Sequence, residues 1–314
     1  MKLYEFDNYF PNEECCKKEF KRVREEKGIT CKCGCTKYYW ISTIEMYQCA
    51  KCRRRQSLRA NTVMHASKLP FRYWFIAMHL LTATKLSFSA LELQRQIGHK
   101  RYQPIWELMH KLRTVMGKRD DEYKTEGKVE FDEGFFTTER PSELKNKNLK
   151  RGAGSERKKK VAVMAGTEDP LVPKKGKKST KVNYIKMKVV ENTLSTTLDA
   201  IAETHIDSNS TIISDAHKSH SNFKNLFNEH QSQVIKPEDV VNILPWVHIA
   251  MSNAKSLLLA THRSVKSEYL QNYLSEFCYK FNRRYFKEDL FHRLINVSAI
   301  YQSDFEHRTY RQAA

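Results

Sequence analysis

The sequence predicts an α/β domain that follows a cysteine-rich segment and a group of helices. Five of the eight cysteines fall between Cys31 and Cys52. Apolar residues at helical spacing dominate residues 68–117, and strand-like runs rich in Val, Ile and Phe begin near residue 128. Because these later strands alternate with helix-like segments, we expect a mixed sheet with helices packed on it.

Shifts in composition divide the chain into five segments. They are an N-terminal helical lead-in, a cysteine-rich segment, a helical segment, the α/β domain and a C-terminal tail, at residues 1–28, 29–66, 67–117, 126–290 and 291–314. The polar stretch GKRDDEYKTEGK is the linker that leads into the α/β domain.

The charge of the chain indicates a polyanionic partner. The 314 residues carry a formal net charge of +19, and an excess of this size is typical of proteins that bind nucleic acid. The first residues, MKLYEFDNYFPNEE, lack the apolar core of a secretory signal, and the longest apolar stretch, residues 73–83, is too short to span a bilayer. We therefore expect a soluble intracellular protein with no membrane partner, in which cysteines bind metal rather than form disulfides.

The cysteine-rich segment predicts a structural zinc site on a β-hairpin. Structural Zn²⁺ takes four soft ligands in a tetrahedron, and two short cysteine knuckles at the ends of a hairpin supply them. Cys49 and Cys52 have the usual spacing, whereas the first knuckle is irregular: Cys33 precedes a turn glycine, and its mate is Cys31 or Cys35. Simple buried cysteines are the alternative. The predicted Zn²⁺ ligands are Cys31, Cys33, Cys49 and Cys52.

The helical segment has the pattern of a helix-turn-helix. SFSALELQRQIGHKRYQPIWELMHKLRTVM forms two amphipathic stretches around a turn at Gly98–Lys100, with Ser87 or Ser89 as the cap of the first. The start of the second helix is where such a motif places side chains that contact DNA. An ordinary helical hairpin is the alternative, but the net charge favours DNA binding. The predicted DNA contacts are Lys100 and Arg101, together with Arg53 and Arg54 after the last cysteine.

Two basic runs separate the first strands of the α/β domain. They are RPSELKNKNLKRGAGSERKKK and PLVPKKGKKSTK, in which Gly, Pro and Ser accompany the cations. Such runs are solvated surface loops by default. In a protein that binds DNA they would contact phosphates and release counterions. The predicted phosphate contacts are Lys158, Lys159 and Lys160.

Two aspartates are candidates for chemistry. Asp132 lies in VEFDEGFF and Asp215 ends TIISD, although an isolated Asp is disfavoured inside a strand. If the two strands are neighbours, the carboxylates converge and can hold Mg²⁺ or Mn²⁺, and two such ions would promote cleavage of a phosphodiester. Glu133 is a poor candidate because strand alternation sends it to the other face. The alternative is that each aspartate merely ends or caps a strand.

Three segments resemble the zinc-ribbon insertion-sequence transposases of the ISXO-like group. They are the ribbon with CRRRQSLRANTVMHASKLPFRYWF, the strand VEFDEGFF, and ISDAHKSH leading to LPWVHIAMSNAKSLLLATHRSVKSEYLQNYLSEFCYKFNRRYF. The resemblance covers roughly residues 20–290. It implies a ribonuclease H-like catalytic domain in which Asp132 and Asp215 are the first two catalytic acids.

The resemblance also implies a third catalytic residue on a helix. This residue is usually Glu, five positions after a His, and counting from His248 places Asn253 there. The sequence resembles the branch of the group that has Asp-Asp-Asn followed by Lys. The amide oxygen of Asn can ligate Mg²⁺, although it brings no charge and cannot act as a base. The implied catalytic residues are Asp132, Asp215 and Asn253 as Mg²⁺ or Mn²⁺ ligands, with Lys255 beside them.

The sequence departs from the group in two places. One residue separates Cys31 from Cys33, where the group has two. Glu-type members carry a basic residue about two helical turns after the third acid, and this sequence has Ala260 there. The nearby basic residues are Lys255, His262 and Arg263.

These features predict a DNA transposase that binds the terminal inverted repeats of its element and performs metal-dependent phosphodiester cleavage and strand transfer. We expect structural Zn²⁺, catalytic Mg²⁺ or Mn²⁺, and double-stranded DNA as partner, both at the transposon ends and at the target. Because two ends are processed, we expect a homodimer or higher oligomer on DNA, in the bacterial cytoplasm at the nucleoid. The first alternative is a catalytically inactive zinc-ribbon DNA-binding protein, such as a repressor or domesticated remnant. The second is a zinc-dependent nuclease without transposition.

Overall fold

The computed structural model describes residues 1–140, 142–144, 146, 148–150, 152, 154–169, 180–234 and 243–305. Two units divide the chain: residues 1–119 with those from 283 onward, and residues 120–282. The basic run PLVPKKGKKSTK lies outside the described residues except for its last two. In the part of the chain that is described, no helix has both the length and the apolar character needed to cross a bilayer.

Helices and strands are numbered here in chain order. The α-helices of the described residues are α1 (Leu3–Tyr9), α2 (Glu13–Lys27), α3 (Phe71–Ala83), α4 (Ala90–Ile97), α5 (Tyr102–Asp121), α6 (Ser195–His205), α7 (Phe223–Leu226), α8 (Pro245–His262), α9 (Leu270–Asn282) and α10 (Leu290–Ile300). The strands are β1 (Tyr38–Ile41), β2 (Met46–Cys49), β3 (Arg55–Ser57), β4 (Lys128–Thr137), β5 (Lys158–Glu168), β6 (Lys181–Val190), β7 (Thr211–Asp215) and β8 (Glu229–Gln233).

Helix α10 packs against α2 and α3 in the first unit. Phe20, Trp74 and Leu294, one from each helix, are fully buried. The sequence predicts that the α/β domain ends at residue 290 and that a tail follows. In the structure the second unit ends at Asn282, and the apolar face of α10 is covered by α2 and α3 of the first unit.

The cysteine-rich segment forms a small antiparallel sheet in the order β1-β2-β3. A short 3₁₀ turn at Ser42–Ile44 joins β1 to β2. The buried guanidinium of Arg24 on α2 donates to the carbonyl oxygens of Ser57, Leu58 and Ala60. These charge-assisted hydrogen bonds attach the end of the small sheet to the helical core.

Helices α4 and α5 flank the predicted turn. The Ser89 side chain caps α4 by accepting the Glu92 N–H at 3.0 Å. Gly98 ends α4 in the left-handed region with a φ of 67°, which glycine adopts at little steric cost. The chain then passes through residues 99–101 and begins α5 at Tyr102. Two helices joined by a short turn thus lie where the spacing predicts them.

A five-stranded mixed sheet organises the second unit, with the order β6-β5-β4-β7-β8. Strand β4 is central: it pairs antiparallel with β5 and parallel with β7. One face of the sheet buries Phe136 and Val163 against α8 and α9, and the other buries Val129 and Phe131 against α6 and α7. Alternate side chains of β4 therefore enter two separate cores.

The edge of the sheet differs from the sequence prediction. SNFKNLFNEH predicts a helix and SQVIK a strand, but α7 covers only Phe223–Leu226 and β8 begins at Glu229. Parallel pairing with β7, from Thr211↔Glu229 onward, stabilises the earlier strand. Tertiary pairing overrides the local helix preference here.

Leu294→Ala is expected to destabilise the first unit by about 2–5 kcal/mol, because it opens a cavity in the core that α10 completes. Urea unfolding followed by circular dichroism measures the loss. His292→Ala, at an exposed position of the same helix, is the control. Equal midpoints for the two variants would contradict the packing of α10 against α2 and α3.

Candidate active site

Asp132 and Asp215 lie at corresponding positions of two neighbouring parallel strands. The parallel register of β4 and β7 runs from Lys128↔Thr211 to Phe131↔Ser214, so the two aspartates are the next residues on each strand. Their side chains are 17% and 33% exposed. Parallel strands stand about 4.8 Å apart, so two acidic groups meet at the carboxyl end of this strand pair. The structure thus brings together the two aspartates that the sequence singles out.

The two carboxyl groups have opposite pKa shifts. Burial raises the pKa of Asp132 to about 7, and the negative charges of Glu133 and Asp215 add to this rise, while the Glu133 N–H and His220 oppose it. The pKa of Asp215 is lowered, chiefly by its contact with His220. A partly buried pair of like charges favours a cation between them, and carboxylate oxygens suit a hard divalent cation. These residues therefore fit the predicted metal site.

His220 joins Asp215 to Glu133. Its ring is fully buried; Nε2 hydrogen-bonds Glu133 Oε1 at 2.7 Å, and Nδ1 lies 2.9 Å from Asp215 Oδ1. Phe223 stacks on the ring at a centroid distance of 5.2 Å, and Phe131 meets it edge-on. Burial opposes protonation, but the contacts with Asp215 and Glu133 prevail and raise the pKa of His220 to about 10. A buried imidazolium thus holds two carboxylates from different strands.

Neither His220 nor Glu133 is among the site residues that the sequence predicts. Strand alternation does send Glu133 to the face opposite Asp132, where it packs near α7. It nevertheless reaches the site through His220, which the sequence places five residues after Asp215 in DAHKSH. A second histidine, His217, stands between them in the chain, so the motif alone could not single out His220.

Helix α8 lies directly over β4. Its buried residues Val247, Met251, Ala254 and Leu258 recur at helical spacing and face the sheet. Met251 contacts Gly134 so closely that a Cβ at position 134 would collide with the Met251 thioether. A larger residue here would require the Met251 side chain to move, so glycine is favoured by close approach rather than by backbone conformation.

One stripe of α8 faces Asp132. His248 Nδ1 lies 3.9 Å from Asp132 Oδ2, and Lys255, seven residues later, falls on the same side of the helix. The Lys255 ammonium lies 5.3 Å from the centroid of the Phe136 ring. Desolvation lowers the pKa of Lys255, nearby Lys158 lowers it further, and Asp132 opposes this. Lys255 is therefore close enough to Asp132 to interact with it electrostatically.

Asn253 lies on a different side of α8. It is exposed, and five residues after His248 corresponds to about 140° around the helix. The structure therefore brings His248 and Lys255 towards Asp132 but does not bring Asn253 alongside them. Counting residues along the chain identified the position of Asn253 in the motif, but not the direction in which the helix presents it.

The sulfur atoms of Cys31, Cys33, Cys49 and Cys52 lie within 4.8 Å of one another. The Cys31–Cys52 and Cys33–Cys49 sulfur pairs are 3.5 and 3.7 Å apart, and all four thiols are free. Four thiolates around a metal ion at the usual Zn–S distance of about 2.3 Å would be separated by about 3.8 Å. The cluster therefore fits a tetrahedral metal ion. Cys35 lies outside it, with its sulfur directed at the Lys37 carbonyl.

The predicted DNA contacts fall into two groups. Lys100 and Arg101 are exposed in the turn before α5, and Arg53 and Arg54 are exposed just after the cysteine cluster. The residues Lys158, Lys159 and Lys160 are half-buried and form the first three positions of β5, where they pair with Thr137, Phe136 and Phe135. These three lysines thus belong to the sheet rather than to a free loop.

Residues 124–282 match the family model described as the ISXO2-like transposase domain, which is just over half of the 314 residues. Among solved structures, the chain is similar to a chain of "Crystal structure of a pre-cleavage Mos1 transpososome", with 11% identity, coverage of 76% of this chain and 82% of that chain, and a TM-score of 0.26. No curated protein matches the chain. Family membership follows from the first match alone, because the second likeness is too distant to carry an argument.

Substitution of one clustered cysteine should remove the bound metal. Wild-type protein and Cys35→Ser are expected to carry one equivalent of metal per chain by elemental mass spectrometry. Cys49→Ser is expected to carry much less and to melt at a lower temperature, because three thiolates hold the ion less tightly. Full occupancy in Cys49→Ser, or an equal loss in Cys35→Ser, would contradict the assignment of the four ligands.

Proposed function

This chain belongs to the ISXO2-like transposase family, whose members cut and join DNA, and on that premise we propose that it mobilises its own element. It binds the terminal inverted repeats, cleaves phosphodiester bonds at the ends and transfers the ends to target DNA. The observation that carries this proposal is the pair of acids at adjacent positions of two parallel strands, Asp132 within β4 and Asp215 at the end of β7. The mixed sheet, in which antiparallel β6, β5 and β4 are followed by parallel β7 and β8, also supports the ribonuclease H-like class.

The proposed metal ligands are the carboxylates of Asp132 and Asp215, and the ion is Mg²⁺ or Mn²⁺. When bound, such ions activate the attacking hydroxyl and stabilise the leaving oxygen of a phosphodiester. His220 occupies Oδ1 of Asp215, which leaves the other carboxylate oxygen for the site. Lys255 and Lys158 are the nearby cations, and each can contact a DNA phosphate.

The third ligand has two candidates. Asn253 is proposed from the resemblance to the Asp-Asp-Asn branch, and its amide would have to approach the aspartates as substrate and metal bind. His248 is proposed from geometry, since its Nδ1 is 3.9 Å from Asp132 Oδ2. Imidazole is a less natural ligand for Mg²⁺ than an amide oxygen, so His248 would more readily contact the substrate.

The first unit is proposed to bind the ends of the element. The four-thiol cluster would hold structural Zn²⁺ and fix the small sheet that presents Arg53 and Arg54. The turn before α5 would bring Lys100 and Arg101 to the DNA. The enzyme is proposed to act as a homodimer or higher oligomer, since two ends must be processed, and to work at the bacterial nucleoid.

A second candidate function is DNA binding without catalysis. The observation that favours it is the exposed Asn253, which stands where the Glu-type members of the group have an acid and lies away from the aspartates. Such a protein would bind the same terminal repeats as a repressor or domesticated remnant. Binding without nicking in the presence of Mg²⁺ and Mn²⁺ would favour this function over transposition.

Asp132→Ala and Asp215→Ala are each expected to abolish end cleavage, because either change removes one of the two proposed carboxylate ligands. The assay uses a labelled DNA fragment that carries the repeats flanking the gene, incubated with Mg²⁺ or Mn²⁺. Asp207→Ala, at a half-buried loop position of the same unit, is the matched control and should cleave normally. If Asp132→Ala cleaves the fragment at the same rate as wild-type protein, the proposed function is wrong.

Asn253→Ala and His248→Ala distinguish a metal ligand from a contact to the substrate. If Asn253 ligates the metal, its loss should raise the Mg²⁺ concentration needed for half-maximal cleavage, with a smaller effect of His248→Ala. If His248 contacts the DNA, its loss should lower the cleavage rate at saturating Mg²⁺. Wild-type kinetics in Asn253→Ala would remove Asn253 from the site.

A further inference from the structure

Glu130 is a buried acid to which the proposed chemistry gives no role. Glu130 lies two residues before Asp132 on β4, so the two side chains point to the same face of the sheet. The residue is only 4% exposed. Glu130 Oε2 accepts the backbone N–H of Trp246 at 2.7 Å and that of Val247 at 3.0 Å. A carboxylate of the catalytic strand thus caps the first turn of α8.

The cap satisfies donors that have no partner within the helix. The first N–H groups of an α-helix lack intrahelical acceptors, and Pro245 at the start of α8 has no N–H at all. Trp246 and Val247 are the next two positions, and one oxygen of Glu130 receives both donors. The negative charge also interacts favourably with the positive end of the helix dipole. Charge-assisted hydrogen bonds of this kind are about twice as strong as neutral ones.

The cap lies next to the contact between α8 and Asp132. His248 directly follows Val247 on the helix, and Asp132 is the next residue after Glu130 on that face of the strand. The helix and the strand are thus joined at two successive points, first by Glu130 and then by the approach of His248 to Asp132. Close contact between Met251 and Gly134 adds a third point further along.

We propose that Glu130 is a positioning residue that fixes the start of α8 over β4, and so sets where His248, Asn253 and Lys255 stand relative to Asp132. This inference rests on the proposed function. The same strand then carries both a metal ligand and the anchor of the helix that completes the site. A small displacement of α8 would move every helical candidate together while leaving Asp132 and Asp215 in place.

The test compares Glu130→Ala, Glu130→Gln and Val182→Ala. Glu130→Ala removes the acceptor, whereas Glu130→Gln retains an acceptor oxygen and loses the charge. Val182→Ala removes buried apolar volume from β6 in the same core and leaves the Glu130 acceptor and both aspartates in place. Cleavage is measured on the fragment with the terminal repeats, at saturating DNA and a temperature at which all variants are folded.

Glu130→Ala is expected to lower the cleavage rate by about 10²-fold, the size of effect that a misplacement of about 1 Å produces. The KM for DNA should stay unchanged, Glu130→Gln should recover part of the rate, and Val182→Ala should cleave as wild type does. A wild-type rate in Glu130→Ala would overturn the proposal. An equal fall in Glu130→Ala and Val182→Ala would overturn it as well, because it would show a general effect of stability.

Hydrogen exchange separates failure of this inference from failure of the proposed function. Amides at the start of α8 should exchange faster in Glu130→Ala than in Val182→Ala, whether or not the protein cuts DNA. Wild-type protein that does not cleave would show that the proposed function is wrong. Faster exchange at the start of α8 in Glu130→Ala would then still show that Glu130 anchors the helix, without a catalytic role. Unchanged exchange at Trp246 and Val247 would overturn the anchor itself.

Discussion

Parallel pairing of β4 with β7 is the constraint on which the site depends. It places Asp132 beside Asp215 and brings two like charges together in a partly buried place. Such a pair is costly unless cations compensate it. His220 supplies one compensating charge from the α7 side, and a bound divalent cation would supply more from the other. The surrounding structure is organised around holding these acids together despite their repulsion.

The sequence predicted the strands and acidic residues of the candidate site better than the directions in which the other side chains point. Alternating apolar residues marked β4 and β7, and the two aspartates could be identified because an acid at the end of an apolar run is unusual. The contact of His220 with Glu133 could not be predicted, because it depends on the path of the short segment between β7 and α7. The direction of the Asn253 side chain could not be predicted by counting residues either, since it depends on which face of α8 packs against the sheet.

The cysteine spacing likewise predicted the type of site but not which cysteines point into it. Two cysteines separated by two residues indicated a metal knuckle, but the alternating Cys31, Cys33 and Cys35 left the partner open. The backbone resolves this, because Gly34 adopts a φ of 80° and the Cys31 N–H donates to the Cys35 carbonyl. That turn directs the first two sulfurs inward and the third outward. The end of the α/β unit at Asn282 could not be predicted from the local sequence either, since it depends on which helices cover α10.

Five successive residues of β4 each have a different role, and this limits how the sequence of the strand can change. Glu130 caps a helix, Phe131 fills a core, Asp132 meets its acidic neighbour, Glu133 bonds a histidine and Gly134 admits a thioether. Each role depends on the face to which strand alternation assigns the residue. An insertion or deletion of one residue here would exchange the faces of every residue on one side of the change and so disturb several roles at once. A substitution, by contrast, can alter one role and leave the others in place.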